Sequence, residues 1–96
     1  MEITKSKDGD KTVLALSGWL DTKTAPELGT ALDELGEDVQ GLEFDFAHLE
    51  YVSSAGIRQI VAAHKKTGGN LVVRNVSPEV KEVFRLTGVG NRLNIV

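Results

Sequence analysis

The chain contains no cysteine, two prolines, one tryptophan, one tyrosine and two histidines among 96 residues, and each scarcity closes a class of chemistry. Without sulfur there is no disulfide, no thiolate nucleophile, no CxxC redox pair and no cysteine-based zinc site. No apolar run approaches the roughly 18 residues of a membrane span, and the polar start from Met1 to Asp8 has no signal-peptide core. Positive charge is not in excess: 11 Lys and Arg stand against 14 Asp and Glu, a net charge of -3. No basic cluster marks a reader of nucleic-acid backbone. What is present, 41% hydrophobic and 26% charged residues, is the composition of a folded globule. Scaling with chain length gives about 5,400 Å² of accessible surface once folded, about 64% of the unfolded surface being buried. The expectation is one soluble, cytoplasmic domain over residues 1–96.

Periodicity divides the chain into short elements with almost no spare linker. Glu2 to Lys7 reads as a polar strand. Asp8-Gly9-Asp10 is a hairpin signal, and Lys11 to Ser17 reads as a second strand, with Val13 and Ala15 on one face, Leu14 and Leu16 on the other, and both faces covered. Thr24 and Glu27 have capping-box spacing, with Pro26 in the first turn. Ala25, Leu28, Leu32 and Leu35 then make one helical stripe, and Gly36 is its stop. Leu42, Phe44 and Phe46 alternate with Glu43 and Asp45 as a strand. Ser53 and Ser54 open a second helix whose face carries Ile57, Ile60, Val61 and His64, and Gly68-Gly69 ends it before the strand Leu71 to Val73. Ser77-Pro78-Glu79 starts a third helix with Val80, Val83 and Phe84 inward, Thr87 to Gly90 breaks it, and Leu93 to Val96 closes as a strand. The order is ββαβαβαβ, an α/β fold with a mixed, mostly parallel sheet and packed helices.

Few residues here can carry chemistry. His48 and Glu50 form an HxE triplet without the cysteine pair that a zinc deaminase needs, and they read as solvated residues in the connection after the strand. His64, on an apolar helical face, reads as a partly buried or edge histidine. Gly88-Val89-Gly90 ends a helix and lacks the third glycine of a dinucleotide fingerprint. Gly68-Gly69-Asn70 lacks the Lys-Ser/Thr of an NTP loop. Ser54-Ala55-Gly56 is half of a nucleophile elbow, but Val52 stands where the elbow wants glycine and no convincing base is at hand. Two readings of this serine pair remain open on local grounds: an N-cap that accepts a bond from a helix N–H, or a phosphoacceptor at a helix start, where about -1.5 to -2 charges would be added.

The segment Leu49-Glu50-Tyr51-Val52-Ser53-Ser54-Ala55-Gly56-Ile57-Arg58 resembles the signature turn of STAS domains, the family of bacterial anti-sigma factor antagonists. Leu16-Ser17-Gly18-Trp19-Leu20-Asp21 resembles the family's L-x-G-x-L-D, Phe44-Asp45-Phe46 its apolar-Asp-apolar strand, and Val83 to Gly88 its late helix. Together these pieces span essentially the whole chain.

The resemblance implies that Ser54 is the serine phosphorylated by an anti-sigma factor serine kinase, with Ser53 as the fallback acceptor. It implies a PP2C-type phosphatase that reverses the modification, and ATP and Mg²⁺ that belong to the kinase and not to this chain. It places Asp21 beside Ser54, and Gly56 where the backbone turns closely into the helix. The expected partner surface comprises Trp19, Asp21, Ser53, Ser54, Gly56 and Arg58. Trp19 enters because large aromatics are enriched at interface hot spots, Arg58 because a cation in a first helical turn is disfavoured by the dipole unless something anionic meets it. The expected protein is a non-enzymatic, monomeric switch in sigma-factor-dependent transcription. A STAS scaffold or sensor component of a stressosome-like or lipid-transport complex is the alternative, and a Ser54 hydrolase the third reading.

Overall fold

The computed structural model describes residues 1–36 and 39–96. The elements run β1 (Glu2–Asp8), β2 (Lys11–Leu20), α1 (Ala25–Glu34), β3 (Gly41–Val52), α2 (Ser54–Lys66), β4 (Leu71–Arg74), α3 (Pro78–Thr87), one 3-10 turn (Val89–Asn91) and β5 (Asn94–Ile95). The order along the chain is therefore the expected one. The five strands pair in sequence order, β1 antiparallel to β2 and every later neighbour parallel.

That simple order dictates the layering. Each strand–helix–strand crossover steps the same way across the sheet, and right-handed crossovers that all step one way put all their helices on one face. Burial follows: Thr12, Leu14 and Leu16 of β2, Leu42, Phe44 and Phe46 of β3, and Leu71 and Val73 of β4 are buried beneath Leu28, Ile60, Val80 and Phe84 of the helices. Phe46 bridges the aromatic row, 5.5 Å from Phe44 and 6.5 Å from Phe84 between ring centroids. Among the described residues the opposite face has no helical layer. Val13 and Ala15 are only partly buried, which corrects the expectation of a strand covered on both sides. In place of a second layer, Glu43 on that face pairs with Lys11 of β2 at 3.1 Å and Arg74 of β4 at 2.9 Å. The accessible surface is 5502 Å², close to what the length requires.

A larger correction concerns β3, which runs on past Phe46 to Val52, so that His48 and Glu50 lie within the strand and not in a connection after it. Two irregularities in its pairing with β2 explain why alternation did not reveal this. Ala15 faces Asp45 but Ser17 faces His48, and Gly18 faces Leu49 but Trp19 faces Tyr51. Each step inserts one residue into β3, as a bulge does. The buried positions consequently become Phe46, Leu49 and Val52, three residues apart. Asp45 stabilises the first bulge: its Oδ1 accepts from the Ala47 N–H at 3.0 Å and from the Asn75 side-chain amide at 2.9 Å. Asn75 sits at φ 58 just after β4, a left-handed conformation that asparagine tolerates better than most side chains.

Candidate functional site

β2 and β3 are parallel, so their carboxyl ends arrive together at one edge of the sheet, at Leu20 and Val52. Beyond Leu20 the chain turns tightly through Asp21 into α1; beyond Val52 it enters α2 at Ser53. The two exits are fastened to each other. The Ser53 N–H donates to the Leu20 carbonyl at 2.9 Å. Gly56, buried in the first turn of α2, packs so closely that a Cβ there would lie 2.6 Å from Leu20 Cγ and 3.0 Å from the Leu20 carbonyl oxygen. Only glycine permits that approach.

The Asp21 loop is an Asx turn built around two side chains. Asp21 Oδ1 accepts from the N–H groups of Lys23 and Thr24, both at 3.0 Å, and lies 3.2 Å from the Thr24 hydroxyl oxygen, whose single proton goes to the nearer Trp19 carbonyl. The Thr24 hydroxyl donates to the Trp19 carbonyl at 2.7 Å and accepts from the Asp21 N–H at 2.9 Å. The capping box expected from Thr24 and Glu27 is therefore not formed. Thr24 has a helical backbone, and its hydroxyl makes no cap bond to α1, being committed backward to the loop. Donation by the Thr24 backbone N–H, foremost, holds the Asp21 carboxyl below the ordinary carboxylate range against some desolvation.

The serine pair divides its roles. Ser53 is the N-cap of α2: it has extended backbone angles and its Oγ accepts from the Gly56 N–H at 3.4 Å. Ser54, the next residue, is exposed at the first helical position, and among the described residues its hydroxyl has no hydrogen-bond partner. Arg58, one turn further on, is exposed as well, and no ion pair engages it among the described residues. Asp21, in the loop after β2, and Ser54, at the start of α2, are thus joined through Leu20 and Ser53, with no hydrogen bond between the two side chains among the described residues.

Trp19 and Tyr51, paired across β2 and β3, stand just before the two exits. Their rings are 5.2 Å apart at 44° and, at 56% and 42% exposure, they are the exposed aromatics of the described chain. Tyr51 was missed by the sequence reading. Its signal was the register that places it against Trp19, which depends on both bulges.

Neither histidine approaches Ser54 along its own element. His64 lies ten residues down α2, about 15 Å along the helix axis, against Gly69. His48 faces Ser17 and lines a shallow groove of about 680 Å³ with Glu50, Ser77 and Glu79, a groove to which neither Asp21 nor Ser54 contributes. Among the described residues no group of three His, Asp or Glu side chains is arranged to hold a metal, and no helix is long and apolar enough to cross a membrane.

The geometry is that of a presented hydroxyl on a rigid joint, set beside an aromatic pair and a tied acidic loop. The family model described as "Mlab, STAS domain" matches residues 3–96, and the chain belongs to the STAS domain family. Among individual relatives, BtrV of Bordetella bronchiseptica, which carries the name of an anti-sigma factor antagonist, is 28% identical over 92 residues, 92% of this chain and 79% of that protein. The fold is similar to the crystal structure of an anti-sigma factor antagonist from Mycobacterium paratuberculosis, with a TM-score of 0.88 at 23% identity, covering 98% of this chain and 83% of that one. It is also similar to the Bacillus cell fate determinant SpoIIAA in its phosphorylated form, with a TM-score of 0.65 at 19% identity, covering 99% and 91% of the two chains.

Proposed function

We propose that this chain is an anti-sigma factor antagonist, a single STAS domain over residues 1–96 acting in the cytoplasm. It binds an anti-sigma factor serine kinase through the surface around Trp19, Tyr51, Asp21 and Ser54, and it is released when Ser54 is phosphorylated. The observation that carries this reading is the division of labour at the start of α2, where Ser53 caps the helix while Ser54 leaves its hydroxyl exposed and unengaged. The likeness to BtrV and to a phosphorylated SpoIIAA supports it.

In the transfer, Ser54 Oγ forms a bond to the γ-phosphorus of the partner's ATP. The bond from that phosphorus to the ADP oxygen breaks, ADP leaves, and the hydroxyl proton passes to a base or to solvent. ATP and Mg²⁺ are supplied by the kinase. The product carries about -1.5 to -2 additional charge at neutral pH on a chain whose net charge is already -3. A phosphate desolvated at a formed interface loses its hydration and repels any facing carboxylate, which lowers affinity by orders of magnitude. A PP2C-type phosphatase restores the binding form. Because α2 begins at Ser54 and its cap is Ser53, the modification needs no residue of the core to move.

Incubation with a cognate ATPase-type anti-sigma factor and ATP tests the reading. A mass gain of one phosphate mapped to Ser54, absent in Ser54→Ala, is expected; no gain, or modification elsewhere only, refutes it. A second reading, implied by the resemblance to STAS domains, is a constitutive component of a stressosome-like or lipid-transport assembly. It predicts obligate co-purification in a large complex, whereas the switch predicts a free monomer that binds its kinase reversibly.

A further inference from the structure

We infer that Arg58 is the intrachain partner of the phosphate on Ser54, so that phosphorylation both adds charge and withdraws Arg58 from the partner surface. This rests on the reading of Ser54 as the phosphoacceptor. Three observations support it. Ser54 and Arg58 are four residues apart in the 13-residue helix α2, the spacing at which side chains stack on one helical face with Cβ atoms roughly 5–6 Å apart. Both are exposed, on the side opposite Gly56, Ile57, Ile60 and Ala63, which α2 buries. Arg58 forms no ion pair among the described residues, whereas Arg74 and Arg85 each pair with a glutamate.

The order of charges favours the pair. An anion at the first helical position with a cation four residues later is the better of the two i,i+4 orientations, because the phosphate then stands at the positive end of the helix dipole. A guanidinium presents a planar fork of donors to phosphate oxygens and can bind two of them at once, which an ammonium cannot do in the same way. In the unmodified chain Arg58 sits in the first turns of a helix with no acid there, a position the dipole disfavours. Its long side chain is then free to reach a carboxylate on the kinase. Once Ser54 carries phosphate, the same side chain turns to its own helix.

The pairing is measured without any kinase. Phosphoserine is installed at position 54 during translation, in the parent chain and in Arg58→Gln, and each phosphate is titrated by ³¹P NMR. The helix N–H groups, and Asp21 on the adjoining loop, act on the phosphate alike in both chains, so the difference isolates Arg58. Its removal is expected to raise the second phosphate pKa by about 0.5, corresponding to an i,i+4 ion pair strengthened by two charge-assisted bonds. The Arg58 Nε–H resonance should also shift on phosphorylation of the parent. Superimposable titrations overturn the inference. Because the phosphate is installed directly, a chain that shows the coupling yet is never modified by an ATPase-type partner refutes the proposed function alone.

Discussion

Gly56 and Leu20 touch so closely that the space for a β-carbon at position 56 is already filled by the Leu20 side chain and carbonyl, the nearest atom being 2.6 Å away. This contact, with the Ser53 N–H to Leu20 bond, joins the loop that carries Asp21 to the helix that carries Ser54. Gly56→Ala must displace Leu20, a fully buried residue, and should cost about 1–3 kcal/mol, as overpacking does, with weakened partner binding as the joint opens. Leu20→Ala alone should cost about 2–5 kcal/mol. The double variant should cost less than the sum, because removing the leucine side chain relieves the main clash. Urea unfolding of the four proteins checks this; strict additivity would mean that the two residues do not constrain each other.

Thr24 serves the Asp21 loop and not the helix that follows it. Thr24→Val keeps the shape but removes the hydroxyl that bridges the Trp19 carbonyl and the Asp21 N–H. It should destabilise the fold by about 1–2 kcal/mol and broaden the amide resonances of residues 19–24 in NMR spectra. An unchanged loop spectrum would contradict the assignment.

Acid should act on two aspartates in the same direction. The Asp21 carboxyl is held low chiefly by the Thr24 N–H, and Asp45 by the Asn75 amide and then the Ala47 N–H, both against some desolvation. A carboxyl whose folded pKa lies below its unfolded value contributes stability that is complete above the ordinary value of 3.8 and is lost as pH falls through the lowered one. Loosening of the 19–24 loop and of the β3 bulge is therefore confined to pH below about 4. Asn75→Gly keeps the left-handed backbone accessible while removing the amide donor, and should move the Asp45 titration, followed by ¹³C NMR, back toward 3.8. An unmoved titration would show that the Asn75 bond is not what lowers it.

Trp19 and Tyr51 are predicted to supply most of the affinity for the kinase and none of the switch. Each alanine variant should weaken binding by more than tenfold, the scale of interface hot spots, with little loss of stability because both rings are exposed. Phosphate should still inhibit whatever binding remains. Full-strength binding by both variants in calorimetry would remove the aromatic pair from the interface.

Part of this site is legible in the sequence itself. Ser53 and Ser54 announce a helix start, because caps are local and their chemistry is written in neighbouring residues, whereas the close turn at Gly56 and the place of Asp21 beside Ser54 came from the resemblance to STAS domains. The end of β3 was not legible. Two bulges change its buried spacing from two residues to three, and a pattern of Phe46, Leu49 and Val52 matches no simple strand. Tyr51 was lost with it, since its pairing with Trp19 follows from cross-strand register. Thr24 misled for a related reason: its spacing to Glu27 fits a capping box, but the competing partners, Trp19 and Asp21, lie upstream in the turn. The clasp between Asp45 and Asn75 spans 30 residues and left no local trace.

The central claim is that one hydroxyl, Ser54, controls association with an anti-sigma factor kinase. Its most direct test is the dissociation constant of that kinase for the unmodified chain and for the same chain with phosphoserine installed at position 54, measured by calorimetry at one salt concentration. The account predicts tight binding by the first and a loss of at least about a hundredfold in the second. Equal dissociation constants for the two forms would contradict it.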